Sequence, residues 1–303
     1  MIEVAMKPLY RTQRGVLYHG ASEDILEAKW FKPLEHKINL IFTSPPFPLN
    51  RRKAYGNLKG KDYIDWLAGF ADIFKQMLDP TGSVVIELGN AWEPGIPTMS
   101  TLSIEALMEF KRRGNFYLCQ EFIWNNTTRL PSPAQWVNIE RIRVKDAYTR
   151  LWWLSTTPKP KANNRAVLHE YSKDMKLLLK RGKYNAGKRP SEHLIGEESF
   201  LRNNGGSIPS NVLSIPNTKS NDPYLAYCKA NSIKGHPARM PPELAEFFIR
   251  FLTTKDDFVL DPFAGSNITG WAAERLNRRW RCVEKEESYA KASMSRFPES
   301  WLI

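Results

Sequence analysis

Twice in this chain an apolar run of strand length, broken only by Asn39 in the first, stops at a stiff turn of small and cyclic residues. The first run, residues 38–42, leads into Thr43-Ser-Pro-Pro-Phe47. The second, residues 258–260, leads into Asp261-Pro-Phe-Ala-Gly-Ser-Asn267. A helix-like segment from about Asn267 to Arg278 and a further strand at 280–283, closed by Glu284, then follow. Runs without polar alternation belong to a parallel sheet covered on both faces. Loops at the carboxyl ends of such strands are where open α/β sheets hold ligands. The expected fold class is therefore α/β.

The remaining periodicity agrees. Short strands are expected at Gly15–His19, at 83–88, at 120–124 and at 150–154. From Asp62 the spacing turns helical, with Tyr63, Trp66, Leu67, Phe70, Ile73, Phe74, Met77 and Leu78 on one stripe until Asp79-Pro-Thr-Gly82 ends it. Residues 155–232 are rich in Lys, Asn, Gly, Ser and Pro and show little period, as in an irregular subdomain or functional insertion. Regular structure resumes at Pro242, whose position favours a helix start.

The two turns suit different chemistry. In a β-α-β unit an acid at the end of each strand can serve different parts of a nucleoside, and Asp261 and Glu284 hold those places. Gly265 lets backbone approach a ligand, and Ser266 and Asn267 can cap the next helix. No Gly-x-Gly-x-x-Gly or Gly-Lys-Ser/Thr string occurs, so no phosphate cradle is evident. At the first turn, the fixed φ angles of Pro45 and Pro46 stiffen a ledge for a planar base, with Phe47 able to stack on it. Taken alone, each string is also readable as an ordinary rigid turn.

Together the strings resemble those of S-adenosylmethionine-dependent DNA amino-methyltransferases, and the ledge-first order is their permuted, beta-class arrangement. The resemblance implies a class I methyltransferase, Rossmann-like fold. It comprises a mostly parallel seven-stranded sheet with helices on both faces, plus a small inserted DNA-recognition region. The chain then divides into a target-base half of the catalytic domain at 1–154, a recognition region at 155–232 and a cofactor half at 233–303. Asp261, Pro262, Phe263, Ala264, Gly265, Ser266 and Asn267, with Glu284, are the implied S-adenosylmethionine contacts. His236 and Pro237 match the family's His-Pro segment beside the methionine end. Family members commonly carry Gly-Asp before the ledge strand to read the cofactor adenine; here it is Gly20-Ala21. Ser22, Glu23 or a backbone group is left to substitute.

The implied catalytic group is Ser44, Pro45, Pro46 and Phe47. An exocyclic amine is a poor nucleophile because its lone pair is delocalised into the ring. Acceptors at Ser44 Oγ and the Pro45 carbonyl could draw the nitrogen toward tetrahedral geometry. Glu87, on the next strand, could hydrogen-bond Ser44 and take up the released proton; an ordinary acid at a strand end is the equal alternative. Ser-Pro-Pro-aromatic is typical of cytosine-N4 enzymes of the family, and Asp/Asn-Pro-Pro-aromatic of adenine-N6 enzymes. Transfer to cytosine N4 in duplex DNA, with the base flipped, is the expected reaction. N6-adenine methylation on the same scaffold is the rival. A non-catalytic DNA-binding protein with a vestigial pocket is the reading from another class. Trp124, residues 130–136, 152–155, 205–211 and 220–224 also resemble segments of restriction-modification cytosine-N4 enzymes.

A formal charge of +12 supports a polyanionic partner. Arg51, Arg52, Lys53, Lys59 and Lys61 follow the ledge with no acid before Asp62, and form the expected DNA-binding loop over double-stranded DNA. Arg141, Arg143, Lys145, Arg150, Lys159, Lys161 and Arg165 face one acid, Asp146, in their stretch. The three scattered cysteines predict neither disulfides nor a zinc site, and no metal is expected. No apolar run is long enough to span a bilayer. The expectations are a cytoplasmic, nucleoid-associated protein, a monomer or weak dimer, with a companion restriction endonuclease as a further partner.

Overall fold

The computed structural model describes residues 8–47, 58–183, 187–188, 190–191, 194–196, 200–218 and 222–303. Two compact units emerge, one of 1–162 with 211–303 and a small one of 163–210.

The large unit is built on a nine-stranded sheet. Its strands are β1 (Tyr10–Arg11), β2 (Gly15–His19), β3 (Ile38–Thr43), β4 (Leu78–Gly89), β5 (Tyr117–Asn125) and β6 (Tyr148–Ser155). The small unit holds β7 (Gly187–Lys188) and β8 (Leu194–Ile195), an antiparallel pair. Then come β9 (Val212–Ser214), β10 (Phe258–Asp261) and β11 (Arg279–Glu284), which return to the large sheet. The sheet order is β1-β2-β11-β10-β3-β4-β6-β5-β9. The run from β2 through β11, β10 and β3 to β4 is parallel throughout. β6 is antiparallel to both β4 and β5, which gives β5 the direction of β4. Seven strands form the expected sheet; the two-residue β1 and three-residue β9 extend its edges, being too short to show as periodic runs.

Both faces are covered. Along β4, Val84, Ile86 and Leu88 pack on one side with α2 (Gly60–Met77) and α3 (Leu102–Gly114), while Val85 points to the other. On that second side, Leu40, Phe42, Val259 and Cys282 pack against α6 (Pro242–Leu252) and α7 (Ile268–Arg275). Tyr63, Leu67, Phe70, Phe74 and Met77 form the buried stripe of α2, at the spacing that a helix requires.

Two boundaries differ from the sequence reading. Asp79-Pro-Thr-Gly82 does not separate helix from strand but sits inside β4. Ile38 pairs with Leu78 and Leu40 with Ser83, so the intervening residues bulge out of register. Asp79 Oδ1 accepts bonds from the Thr81 amide and hydroxyl, holding the bulge as an Asx turn. A Cβ on Gly82 would lie 2.7 Å from the Ile38 carbonyl oxygen. The second difference is the end of α7 at Arg275 rather than near Arg278. Asn277 adopts φ 60, and its amide and that of Arg278 return to the Glu274 and Ala273 carbonyls in a Schellman closure.

The region read as irregular contains short elements. In the small unit, α4 (Lys173–Arg181) is capped by the Ser172 hydroxyl and closed by Gly182 in the left-handed region. Residues 211–232 belong to the large unit, where they supply β9 and α5 (Pro223–Ala230). The last helix is α8 (Glu287–Ser293), and α1 (Ser22–Glu27) follows β2. The three cysteines are free, and Cys228 and Cys282 are buried. Among the described residues no helix is long and apolar enough to cross a membrane.

Candidate active site

A cavity of about 460 Å³ opens at the carboxyl ends of β3, β10 and β11. Ser44, Pro45, Pro46 and Phe47 form one wall. Residues 261–266 with Glu284 form another, and His236 lines the cavity beside them. The two turns are joined at their roots by a buried carboxylate. Asp261 accepts from Thr43 Oγ1 (2.7 Å), immediately before the ledge, from Thr269 Oγ1 (2.6 Å) and from the Phe263 amide (3.0 Å). Burial outweighs these bonds and pushes its pKa up to about 6. Asp261 therefore clamps the ledge strand to the adjoining loop.

The loop turns through two left-handed residues, Gly265 at φ 53 and Asn267 at φ 53. A side chain at Gly265 would be strained, and its Cβ would sit 3.1 Å from His236 Nε2. His236 is fixed in turn: its amide donates to the Tyr224 hydroxyl at 3.0 Å and its ring meets the Tyr289 ring edge-on at 4.8 Å. Glu284 takes one backbone N–H on each oxygen, from Gly265 (2.6 Å) and from Glu286 (2.8 Å). Each oxygen keeps a lone pair, and burial raises the pKa to about 7. A half-buried carboxylate with spare acceptors, in a cavity also lined by the Phe263 and Trp66 rings packed at 5.5 Å, fits a vicinal diol and a flat heterocycle.

At the ledge, Ser44 hydrogen-bonds Glu87. Glu87 is buried behind the cavity wall, also accepts from Thr149 Oγ1 at 3.1 Å, and senses the positive charge of Arg129. Burial holds its pKa above the ordinary carboxylate value. A Ser44 hydroxyl that donates to Glu87 keeps its Oγ lone pairs for a donor in the cavity.

Two expected contacts stand apart from the cavity. Asn267 is wholly buried: Oδ1 accepts from the Gly270 amide (3.0 Å) as the α7 cap, and Nδ2 donates to the Tyr10 hydroxyl (2.8 Å). Pro237 is exposed and lies outside the lining, whereas its neighbour His236 is within it. Among the expected DNA-binding residues, Lys59 is exposed just before α2, and Lys61 is exposed but paired with Asp65. Arg51, Arg52 and Lys53 lie outside the described residues.

Other wall residues come from positions that the sequence reading assigned to core or left open. Trp66 is half-buried, and its indole N–H donates to Glu23 Oε1 at 2.7 Å. Ser22 donates to the Pro262 carbonyl, placing the start of α1 against the loop. Glu23 and Ser22 both line the cavity, at the end where Ala21 replaces the usual acid. The stripe of α2 gave a signal for Trp66 only as a core residue.

A parallel sheet with a proline ledge and an acid-ended β-α-β unit around one cavity defines the class of Rossmann-like methyltransferases. The family described as DNA methylase matches residues 38–295, and the chain belongs to that family of DNA methyltransferases. It is 45% identical over 299 residues to the type II methyltransferase M.PvuII of Proteus hauseri, covering 98% of this chain and 88% of that protein. The solved PvuII DNA methyltransferase, described as cytosine-N4-specific, aligns with TM-score 0.78 at 40% identity, over 97% of this chain and 90% of the other. The M1.HpyAVI–SAM complex shares the fold, with TM-score 0.53 at 20% identity over 92% and 97% of the two chains.

Proposed function

We propose that the protein methylates the exocyclic N4 of cytosine in duplex DNA, using S-adenosylmethionine. The observation that carries this reading is Ser44, which lines one cavity with Glu284 and has buried Glu87 as its partner behind the wall. Bound S-adenosylmethionine supplies an electrophilic methyl group. Glu284 accepts the ribose hydroxyls, and Gly265 gives the loop its close approach. Phe47 stacks on the flipped base. Ser44 Oγ and the Pro45 carbonyl accept the two amino hydrogens, freeing the nitrogen lone pair for the methyl carbon. With the methyl group taken from S-adenosylmethionine, the surplus amino proton would pass to Ser44 and the serine proton to Glu87, whose burial favours receiving it.

Residues 155–232 are assigned the reading of base edges. The 51–61 stretch is assigned phosphate contacts, which position without specifying. A companion endonuclease with the same target, a monomer or weak dimer, and association with the nucleoid complete the proposal. Nucleoside mass spectrometry of DNA incubated with protein and S-adenosylmethionine tests it, and N4-methylcytosine is the expected product. N6-methyladenine as the sole product would overturn the base assignment.

A further inference from the structure

Apart from Arg129, whose charge acts on Glu87, the segment between β5 and β6, residues 126–147, is not used by the chemistry described above. It leaves β5 at the end of the sheet where β4 also ends, because β5 runs in the direction of β4. Asn90, the residue after β4, donates to Asp146 Oδ1 at 2.8 Å, and Arg129 donates to the Tyr148 carbonyl at 3.2 Å. The segment is thereby tied beside Glu87 and the ledge. Its backbone closes on itself: Asn126 bonds Ala147, Asp146 bonds Ser132, and Ile142 bonds Trp136, each at 2.9 Å. It is an ordered strap.

Its surface is unusual. Val144 is 88% exposed, Leu130 81% and Ile139 69%. Scattered apolar residues on a surface need no explanation, but several on one ordered strap mark a partner. The intervening charges point to a polyanion. Arg129, Arg141, Arg143 and Lys145 stand against Glu140, which holds Gln135, and Asp146, which is engaged by Asn90. Apolar side chains flanked by cations suit a stacked duplex: proteins that unstack DNA insert aliphatic wedges between base steps while cations hold the phosphates.

We propose that this strap enters the duplex beside the target, with Leu130 and Val144 filling the stack as the base leaves and Arg141 and Lys145 gripping flanking phosphates. The inference rests on the DNA-methyltransferase reading. It adds a second DNA contact, distinct from the 51–61 stretch, that acts on flipping rather than on methyl transfer.

The test uses the full chain and a duplex carrying the site mapped by sequencing wild-type-methylated DNA. One version carries 2-aminopurine at the target position, and another carries a mismatch opposite the target cytosine. The double variant Leu130→Ala, Val144→Ala should lose most of the 2-aminopurine fluorescence rise. It should turn over the matched duplex about tenfold more slowly and the mismatched duplex near the wild-type rate, because a mismatch removes most of the unstacking cost. Its S-adenosylmethionine affinity should be unchanged. Arg141→Gln with Lys145→Gln should instead raise KM on both duplexes and flatten the salt dependence. Equal slowing on matched and mismatched duplexes, or none on either, overturns the strap's role. A changed oligomeric mass by light scattering with flipping intact overturns it too, and assigns the apolar face to a second copy. A wild-type protein that methylates no DNA sinks the parent reading and the strap with it.

Discussion

The two walls of the cavity use carboxylates in opposite ways. Glu87, behind the ledge, is held by the hydroxyls of Ser44 and Thr149, groups that rotate and can pass a proton. Glu284, on the opposite wall, is held by the backbone amides of Gly265 and Glu286, which cannot turn. A hydroxyl-held acid suits proton traffic, and an amide-held acid suits a fixed acceptor. Asp261 stands between them, bonded to two hydroxyls and one amide, and serves as the joint of the two walls.

The largest test of this contrast falls on the ledge. Ser44→Ala removes both the acceptor for the amino group and the link to Glu87. Turnover should fall by about 10²–10³, the usual loss for one group that stabilises a transition state, with cofactor affinity within about twofold. Rapid-quench methylation and calorimetry read the two quantities. A comparable loss in cofactor affinity would mean that Ser44 belongs to the binding wall and would erase the distinction.

The joint comes next. The folded protein holds the Asp261 pKa at about 6, above the ordinary 3.8. Between roughly pH 4 and 6 the folded state therefore binds more protons than the unfolded one. Stability on account of this group is greatest below that window and declines as pH rises through it. Two pKa units correspond to about 3 kcal/mol. Asp261→Asn keeps the shape and removes the titration, so its thermal stability relative to wild type should improve from pH 4 to 7. A constant difference across that range would show that Asp261 is not the buried titrating group.

These contrasts show what a sequence can reveal here. The ledge and the 261–266 loop were legible because proline pairs and a Gly-containing turn after apolar runs leave few backbone choices. The acids at strand ends followed from the same pattern. Trp66 was not, because periodicity reports which face of a helix is covered and not whether core or cavity covers it, and Glu23 was legible only as one of several substitutes for the acid missing at Ala21. Asn267 divides: its reading as a helix cap holds, but its left-handed backbone aims the amide down to Tyr10 and the α7 cap, away from the cavity where a cofactor contact was expected. The bulge at Asp79 and the edge strand β9 depend on pairing partners distant in the chain, which local propensity does not see.

On the wall proposed to hold the cofactor, Glu284→Ala should weaken S-adenosylmethionine binding by about 1–3 kcal/mol, the range for losing bonds to a charged acceptor. Its pKa near 7 sharpens the test. A ribose diol needs acceptor oxygens, so binding favours the charged carboxylate and releases a proton when the free protein holds one. Wild-type affinity should rise from pH 6 to 8, and calorimetry in buffers of different ionisation heat should register the proton release. Glu284→Gln should lose both signatures. A pH-independent wild type would leave Glu284 as a brace for Gly265 alone.

The smallest effect separates cations that are spoken for from cations that are free. Lys61 is fully exposed but paired with Asp65 one helical turn on, whereas Lys59 has no ion-pair partner among the described residues. An exposed pair of this kind is weak and yields to a phosphate at little cost, yet Asp65 remains beside whatever phosphate replaces it. Lys59→Gln should therefore weaken duplex binding more than Lys61→Gln, each by no more than about threefold at moderate salt. Both should act alike on target and non-target DNA, since phosphate contacts carry no sequence information. Asp65→Asn supplies the decisive comparison. By releasing Lys61 and removing a repelling charge it should strengthen binding slightly and steepen the salt dependence. Weaker binding in that variant would show that the Lys61–Asp65 pair positions the start of α2 rather than competing with DNA.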